Sequence, residues 1–261
     1  MSEKEKILRY YRSSGDGEMA ARLLDSAESA LKSRRYRVSD FIDPFGAGVA
    51  ETISAHYGQL VVTLDGGYTG AERVKAAFAH QDFLGKPEFD LAGLSIVWDT
   101  RFYQLTHRDV LGALMGLGIK RDVLGDIIMT GNGCQVVLDT SFVPFIAQNL
   151  LKVGNAPVIV QTVDLAAIAP HEEKMKEIRT TVASLRLDVV AAAGFGLSRT
   201  KMASEISAEK IKVNWQTGKN SAQTVKAGDV ISMRGRGRVE ICEIIGQTKK
   251  GRTSILLKRF M

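Results

Sequence analysis

Apolar residues near the start of the chain recur at intervals of three and four positions. They are Met19, Leu23, Leu24, Ala27 and Leu31. Because residues at this spacing share one face of a helix, the pattern predicts an amphipathic helix. A break is expected over residues 39–48, followed by a helix over 51–57 and a strand over 60–64. Thr69 then predicts the start of another helix, because Glu72 three residues later completes a capping-box pattern.

Between residues 89 and 164 short apolar runs alternate with helical segments. The predicted strands cover 91–98, 126–130, 134–139 and 158–163, and the predicted helices run from Thr106 to 116–118 and over 141–151. Asn132-Gly133 between two of the strands is a strong signal for a type I′ hairpin turn. The resulting β-α-β-β-α-β order is that of the ferredoxin-like split βαβ unit, which RNA-recognition modules share. The strand that begins at Cys134 lacks the stacking aromatic residues of such modules, so an RNA contact of this domain is expected on another surface.

A helix start near residue 198 has an unusual charge pattern. Ser198 predicts the N-cap of a helix that runs to about Ser207. The position three residues later normally holds Glu or Gln, but here it holds Lys201, with Arg199 between them. Cations in a first turn oppose the helix dipole, at roughly 0.3–1 kcal/mol each. An external anion would complete such a site, and a helix N-terminus is suited to phosphate.

The last third of the chain carries the positive charge. From Val182 onward it holds 15 Lys and Arg against six Asp and Glu, a net charge of +9; the preceding 181 residues carry −3, which gives the total of +6. Arg234, Arg236 and Arg238 alternate with glycines, which let a backbone approach a bulky anion closely. Charge localised in this way is typical of a nucleic-acid footprint, with an ordinary solvated surface as the alternative.

Short motifs in this region fall at a specific spacing over about fifty residues. They are Arg186-Leu187-Asp188, Gly194, Ser198-Arg199, Lys212-Val213-Asn214, Gly228-Asp229 and the Arg-Gly run. Their spacing resembles that of the S4 RNA-binding domain, a small α/β module. Ala191 stands in place of a common leucine, and Ala208-Glu209 and Trp215 stand where the pattern has glycine. The resemblance therefore does not fix the turn geometry over residues 208–216.

The resemblance implies an RNA-binding surface made of two helix starts and the adjoining strands. The expected contacts are Arg186, Ser198, Arg199, Thr200, Lys201, Lys212, Asn214, Arg234, Arg236 and Arg238. Asp188 is expected to orient Arg186 or to cap the helix. Phe195 and Trp215 are candidates for stacking on an unpaired base, with a core position as the alternative for Phe195. Six to eight phosphate contacts predict a slope of log K against log salt of roughly −4 to −7.

Two further cations lie at a second predicted helix start. Thr106 and Asp109 form a capping box, which explains both residues structurally. For His107-Arg108 two interpretations stay open, a secondary RNA contact or surface charge beside the cap. Lys120-Arg121, just past the end of this helix, are explained by the negative end of the helix dipole.

The sequence offers little for catalysis. The four histidines lack metal-ligand spacing, and the two cysteines are too few for a disulfide framework or a zinc site. There is no P-loop motif, and Asp65-Gly66-Gly67 after a strand is only a weak nucleotide-loop signal. S4 domains often accompany pseudouridine synthases, but the one Arg-Leu-Asp of this chain, at 186–188, falls inside the S4 pattern. We therefore expect no enzyme activity, cofactor, metal or small-molecule substrate.

The segments around the Gly66-Gly67-Tyr68 turn, residues 70–73 and residues 105–121 resemble the YlmH family of bacterial S4-domain proteins. The resemblance implies an α+β fold with an N-terminal α/β domain over 1–80, an RRM-like domain over 81–168 and an S4 domain over 182–261 that ends in a β-hairpin. Residues 170–176 are expected to be a linker or the start of a helix.

The family resemblance also implies a function. Its members associate with a large ribosomal subunit that carries an obstructed peptidyl-tRNA, in translation quality control, so rRNA and tRNA are the expected partners. A cell-division adaptor that meets an acidic protein or lipid is the alternative. No apolar run approaches the ~20 residues of a membrane helix, and the first residues lack the apolar core of a signal peptide. We expect a cytoplasmic protein with no membrane partner.

Overall fold

The structure, a computed structural model, describes Tyr11 and residues 17–168 and 175–260. The chain divides into two compact units, Met1–His171 and Glu172–Met261. None of the helices in the described ranges is long and apolar enough to cross a lipid bilayer. The fold is a mixture of helices and antiparallel sheets, as expected from the sequence.

The first unit begins with two helices packed on a three-stranded sheet. The elements are α1 (Gly17–Ser33), β1 (Tyr36–Ile42), α2 (Pro44–Tyr57), β2 (Leu60–Asp65) and β3 (Val74–His80). The strands are antiparallel in the order β1-β3-β2. The predicted helical stripe is confirmed, because Leu23, Leu24 and Ala27 of α1 are buried against Phe78 and its neighbours.

Two predictions for this region are wrong. The segment after Thr69 is not helical but leads into β3, the central strand of the sheet. The reason lies elsewhere in the chain: the Asp126 carboxylate accepts the backbone N–H groups of Glu72 at 2.7 Å and Arg73 at 3.1 Å, which a helical first turn would have offered to Thr69. The expected break over 39–48 is instead the end of β1 and the start of α2, which Asp43 caps by accepting Gly46 N–H at 2.9 Å.

The second part of this unit has the expected β-α-β-β-α-β order. Its elements are β4 (Leu91–Val97), α3 (His107–Gly116), β5 (Leu124–Thr130), β6 (Gly133–Asp139), α4 (Val143–Asn149), the short pair β7 (Lys152–Val153) and β8 (Ala156–Pro157), and β9 (Ile159–Val163). The sheet is antiparallel in the order β5-β6-β4-β9. This is the strand order of a split βαβ unit.

Buried polar contacts join the two parts of the first unit. Arg73 donates to the carbonyl oxygens of Leu124 and Phe41, at 2.9 Å each, so its guanidinium bridges both sheets. Burial lowers the pKa of Arg73 from its ordinary value. Lys75 is buried, whereas Arg73 is half-buried, and Lys75 donates to Asp139 at 2.6 Å. Contacts between residues far apart in the chain therefore hold the first unit together. Local sequence patterns did not predict them.

The second unit places two helices on a six-stranded antiparallel sheet. Its elements are β10 (Met175–Val182), α5 (Leu187–Phe195), α6 (Arg199–Ser207), β11 (Ile211–Val213), β12 (Gln216–Thr217), β13 (Val230–Met233), β14 (Gly237–Gln247) and β15 (Thr253–Phe260). The strand order is β10-β15-β14-β13-β11-β12. The expected terminal hairpin is confirmed as β14 and β15. Of the predicted linker over 170–176, residues 170–174 lie outside the described ranges, and Met175 begins β10.

Candidate nucleic-acid interface

A single carboxylate links the starts of the two helices of the second unit. Arg186, the residue before α5, donates from Nε to Oδ1 of Asp188 at 3.1 Å. Arg199, the first residue of α6, donates from Nε to Oδ2 of the same carboxylate at 2.8 Å. Asp188 therefore orients Arg186, as expected, and also Arg199, which the sequence did not indicate.

The charge state of Asp188 follows from its surroundings. Burial would raise the pKa of this carboxyl, but the hydrogen bonds from Arg186 and Arg199 outweigh it and hold the pKa below the ordinary value. The Asp188 side chain is only 4% exposed, whereas those of Arg186 and Arg199 are 38% and 59% exposed. Arg186 binds Asp188 through Nε and Nη2 and Arg199 binds it through Nε, and both guanidinium groups remain accessible from solvent.

The N-terminus of α6 has the predicted geometry. Ser198 accepts the backbone N–H of Lys201 at 3.2 Å, which confirms it as the N-cap, and the first turn holds no acidic residue. Thr200 is exposed there. Lys201 pairs with Glu205 one turn later at 3.1 Å while staying 61% exposed. The first turn therefore presents two accessible cations where a helix normally carries acids.

A series of contacts connects α6 to the turn that carries Arg234 and Arg236. Glu205 binds Lys201 through one oxygen and Lys210 through the other, at 2.8 Å. Both hydrogen bonds lower the pKa of Glu205, and the larger effect comes from Lys210. The carbonyl of Lys210 accepts the backbone N–H of Arg234 at 3.0 Å. Lys210 was not among the predicted contacts; its place directly between α6 and β11 was the available signal.

Arg234 and Arg236 lie in the turn between β13 and β14, not on a strand as expected. Gly235 and Gly237 have φ of 79° and 80°, so the glycines of this run serve the turn itself. Both arginines are exposed, and neither has a carboxylate partner among the residues that the structure describes. Arg238 is half-buried, with its guanidinium 5.0 Å from the centre of the Phe260 ring.

The sheet separates the predicted contacts into two groups. Lys212 pairs with Ser232, and Ser232 pairs with Arg238, so all three side chains lie on one face of the sheet. Their strand neighbours, such as Ile211 and Val239, point to the core with α5 and α6. Lys212 and Arg238 are therefore on the face away from the helices, and the single surface expected from the sequence is divided.

Two of the predicted residues have structural roles. The side chain of Asn214 donates to Asp229 at 2.9 Å and accepts the backbone N–H of Val230 at 2.9 Å, so it holds a turn together. Phe195 is 1% exposed and belongs to the core, which excludes it as a stacking platform. We therefore assign these residues to the support of the interface.

In the ferredoxin-like domain, part of one sheet face is covered, and the two predicted cations lie at a helix start. One face of its sheet is packed by Ile128 and Val137 against Phe41 of β1 and Ile168, so that part of the face is covered by the protein itself. His107 and Arg108 are exposed at the start of α3. The capping box of Thr106 and Asp109 beside them is confirmed, and the role of the two cations stays a prediction.

Nothing in the described ranges resembles a metal centre or an activated nucleophile. No group of three or more His, Cys, Asp or Glu side chains that could hold a metal ion occurs in that part of the chain. Burial raises the pKa of Cys134 to about 12, which keeps this thiol protonated. Asp65 accepts the N–H of Gly67 at 2.7 Å, and Gly67 packs closely on Val137 and Leu165, so this loop has a structural role.

These features define a class of protein: an RNA-binding module of the S4 type, which follows a ferredoxin-like domain in the same chain. Comparisons of the sequence with known protein families support the same class. Residues 185–231 match the S4 domain, residues 15–83 match the N-terminal domain of YlmH, and residues 85–167 match the candidate RNA-binding domain in YlmH. The ribosome-associated protein quality control protein P2 of Bacillus subtilis (strain 168) is 33% identical over 229 residues, 86% of this chain and 88% of the relative. The chain belongs to the YlmH family.

A solved structure of the cell division protein ylmH from Streptococcus pneumoniae is also similar. It shares 24% identity with a TM-score of 0.49, over 57% of this chain and 91% of that chain. The chain is thus an S4-domain homologue of a ribosome-associated quality-control protein.

Proposed function

We propose that this protein binds structured RNA through its second unit, without catalysing a reaction, on a large ribosomal subunit that carries an obstructed peptidyl-tRNA. The observation that carries the proposal is the paired helix start, where Asp188 holds Arg186 and Arg199 while both stay accessible. The relative named for ribosome-associated quality control supports the ribosome as the site of action and the cytoplasm as the location. Ribosomal RNA is the main partner and transfer RNA a second one.

The chemistry of the interface favours backbone and shape readout. Arg199, held through Nε, can present both terminal nitrogens to phosphate oxygens, and Arg186, held through Nε and Nη2, can present Nη1. A-form RNA has a major groove too deep and narrow for side chains, so a protein recognises its phosphates and minor groove. Arg186, Arg199 and Lys201 form the centre of the interface, and Arg234 and Arg236 extend it past Lys210. Lys212 and Arg238, on the opposite face of the sheet, contribute less.

Sedimentation with purified ribosomal subunits tests the proposal. The wild-type chain should pellet with the large subunit and not with the small one. The double variant Arg234→Glu, Arg236→Glu should lose this binding, because it reverses two charges on an exposed turn. In a titration with RNA, the double variant should also flatten the slope of log K against log salt by roughly 1.4–1.8, since each of the two lost phosphate contacts removes roughly 0.7–0.9.

A matched control comes from the other hairpin turn of the same module. Lys249→Glu with Lys250→Glu makes the same change in net charge at exposed positions. The two turns lie at opposite ends of β14, roughly 35 Å apart for eleven residues. The control should still pellet with the large subunit. If both variants bind as the wild type does, or the wild type binds neither subunit, the proposal is wrong and the adaptor alternative gains support.

A further inference from the structure

Trp215 has a backbone conformation that bulky residues rarely adopt. It follows Asn214 in the two-residue turn between β11 and β12. The φ angle is 49° at Asn214 and 65° at Trp215. Asparagine tolerates left-handed backbone because its short side chain bonds locally. For a large side chain with a Cβ, the same conformation is a genuine outlier. The turn therefore carries strain at the tryptophan.

The second unit uses glycine at most of its other left-handed positions. Six glycines there have positive φ: Gly196, Gly228, Gly235, Gly237, Gly246 and Gly251. Glycine removes the steric penalty at such positions, and the S4 pattern has glycine where this chain has Trp215. A further exception is Glu209, which has φ of 55° and an exposed side chain.

Packing in the core does not explain the tryptophan. The core of the second unit is built from residues of both helices and the sheet, such as Leu187, Phe195 and Ile231, and Trp215 is not part of it. Its side chain is half-buried. Partial burial of the ring offsets some of the local strain, and the remaining part of the ring stays accessible from solvent.

The surrounding structure holds the strained turn in place. The backbone N–H of Asn214 donates to Val230 at 2.8 Å, and its side chain bonds Asp229 and Val230. Strained residues persist where neighbouring contacts over-determine them, and they concentrate at functional sites. The Trp215 ring is thus carried on a rigid support and not on a loose loop.

The turn belongs to the same region as the cationic helix starts. Gly218, three residues after Trp215, packs so closely on Leu187 that an added Cβ would lie 3.0 Å from its Cδ2. Leu187 opens the first turn of α5, which also carries Asp188.

We propose that Trp215 is a base-stacking residue, which stacks on an unpaired nucleotide next to the paired RNA bound by the helix starts. This inference rests on the proposed function and adds a preference for RNA with an unpaired base beside a helix. Stacking on an aromatic ring is available to every base and does not depend on its sequence. Single-stranded loops and bulges are where proteins usually splay bases onto aromatic side chains.

Binding of two synthetic RNAs of equal length tests the inference, one a hairpin with an unpaired loop and the other a fully paired duplex. Trp215→Gly relieves the left-handed strain but also removes the buried part of the ring, so thermal melting is used to check that the variant is folded. The same change should weaken binding of the hairpin about tenfold, and change binding of the duplex less than about twofold. Trp215→Phe should retain most of the hairpin affinity. Binding of the hairpin should quench tryptophan emission in the wild type and not in Trp215→Phe.

Glu209→Gly is the matched control, since it relieves the same kind of strain without removing an aromatic ring. It should raise the unfolding temperature and should not weaken binding of either RNA. Equal affinity of Trp215→Gly and the wild type for the hairpin would overturn the inference, as would an equal loss on both RNAs. Failure of the wild type to bind either RNA in a salt-dependent way would overturn the proposed function itself.

Discussion

Asp188 is almost fully buried, and it keeps its charge because Arg186 and Arg199 donate to both of its oxygens. A buried carboxylate without such partners would be strongly destabilising, so its retention indicates that the two cations must be held in position. At the scale of single residues, this contact converts two flexible side chains into a fixed pair. Fixed cations lose less conformational entropy on binding a phosphate than free ones do.

Asp188→Asn tests this role through its pH dependence. Since the folded pKa of Asp188 is lowered, its contribution to stability is complete above the ordinary aspartate pKa and fades as the pH falls through the folded value. At pH 7 the variant should be less stable by about 1–3 kcal/mol. The difference should shrink below about pH 4.

The measurement is the urea midpoint of the second unit, followed by Trp215 emission in a Trp98→Phe background. A stability difference between the Asp188→Asn variant and its parent that stays constant from about pH 7 to about pH 3 would contradict the assignment of charge to this carboxylate.

At the scale of elements, α6 is a helix whose start is built against its own dipole. Arg199 and Lys201 occupy its first turn, and no acid compensates them there. Local helix stability alone would favour the opposite sign of charge. Asp188 and Glu205 offset part of this cost through Arg199 and Lys201, and a bound anion would offset more of it, which is the physical basis for proposing RNA there.

Thr200→Glu should therefore change stability and binding in opposite directions. A carboxylate in the first turn should stabilise the second unit by about 0.3–1 kcal/mol. The same carboxylate should weaken RNA binding severalfold by repulsion of phosphate. Thermal melting and a salt titration of RNA affinity measure the two effects.

Ser207→Glu provides the comparison, because it adds the same charge to the last turn of the same helix at an exposed position. There the dipole is unfavourable to an acid, so stability should fall slightly. The position is roughly 10 Å further along the helix, and RNA affinity should change less. Equal effects of the two variants on RNA binding would show that net charge alone matters.

At the scale of the whole molecule, each compact unit has its own core and its own tryptophan, Trp98 in the first and Trp215 in the second. The first unit is assembled from two sheets joined by Arg73, whose guanidinium donates to backbone carbonyls of both. Removing the donor takes a charged hydrogen bond from both carbonyls, and of the two the carbonyl of Leu124 keeps the bond that Arg121 donates at 2.7 Å. Arg73 is therefore one of the side chains, with Lys75, that join the two sheets of the first unit.

Arg73→Met should destabilise the first unit by roughly 1–3 kcal/mol, since two partly buried acceptors lose a charged donor. Trp98 emission in a Trp215→Phe background follows this unit in a urea titration. Arg101→Met is the control, because it removes an exposed arginine paired with Asp99, and it should leave the urea midpoint nearly unchanged. A similar shift of the midpoint for both substitutions would mean that Arg73 does not join the sheets.

The sequence by itself determined the elements whose signals are local. The helical stripe of α1 and the caps at Thr106 and Ser198 depend on residues within one or two turns of each other. Their geometry was therefore predictable, and the structure has it. The helix starts of the candidate interface belong to this class. The hairpin between β5 and β6 is also present, but the type I′ turn predicted at Asn132-Gly133 is wrong, because the turn residues are Gly131 and Asn132 and neither has a positive φ. The exact residues that touch RNA stay predictions.

Tertiary structure alone decided the features that depend on distant residues. The segment after Thr69 is one example. The Asp126 carboxylate, 54 positions from Glu72, accepts the backbone N–H that a helix would have used, so the segment leads into β3 and is not helical. The strand pairing of Lys212 with Ser232 and of Ser232 with Arg238 placed two predicted contacts on the face away from the helices. The left-handed turn at Trp215 likewise became visible only in the fold. Local propensity acts over a few residues, whereas pairing, burial and competition for hydrogen bonds are settled between segments that are far apart in the chain.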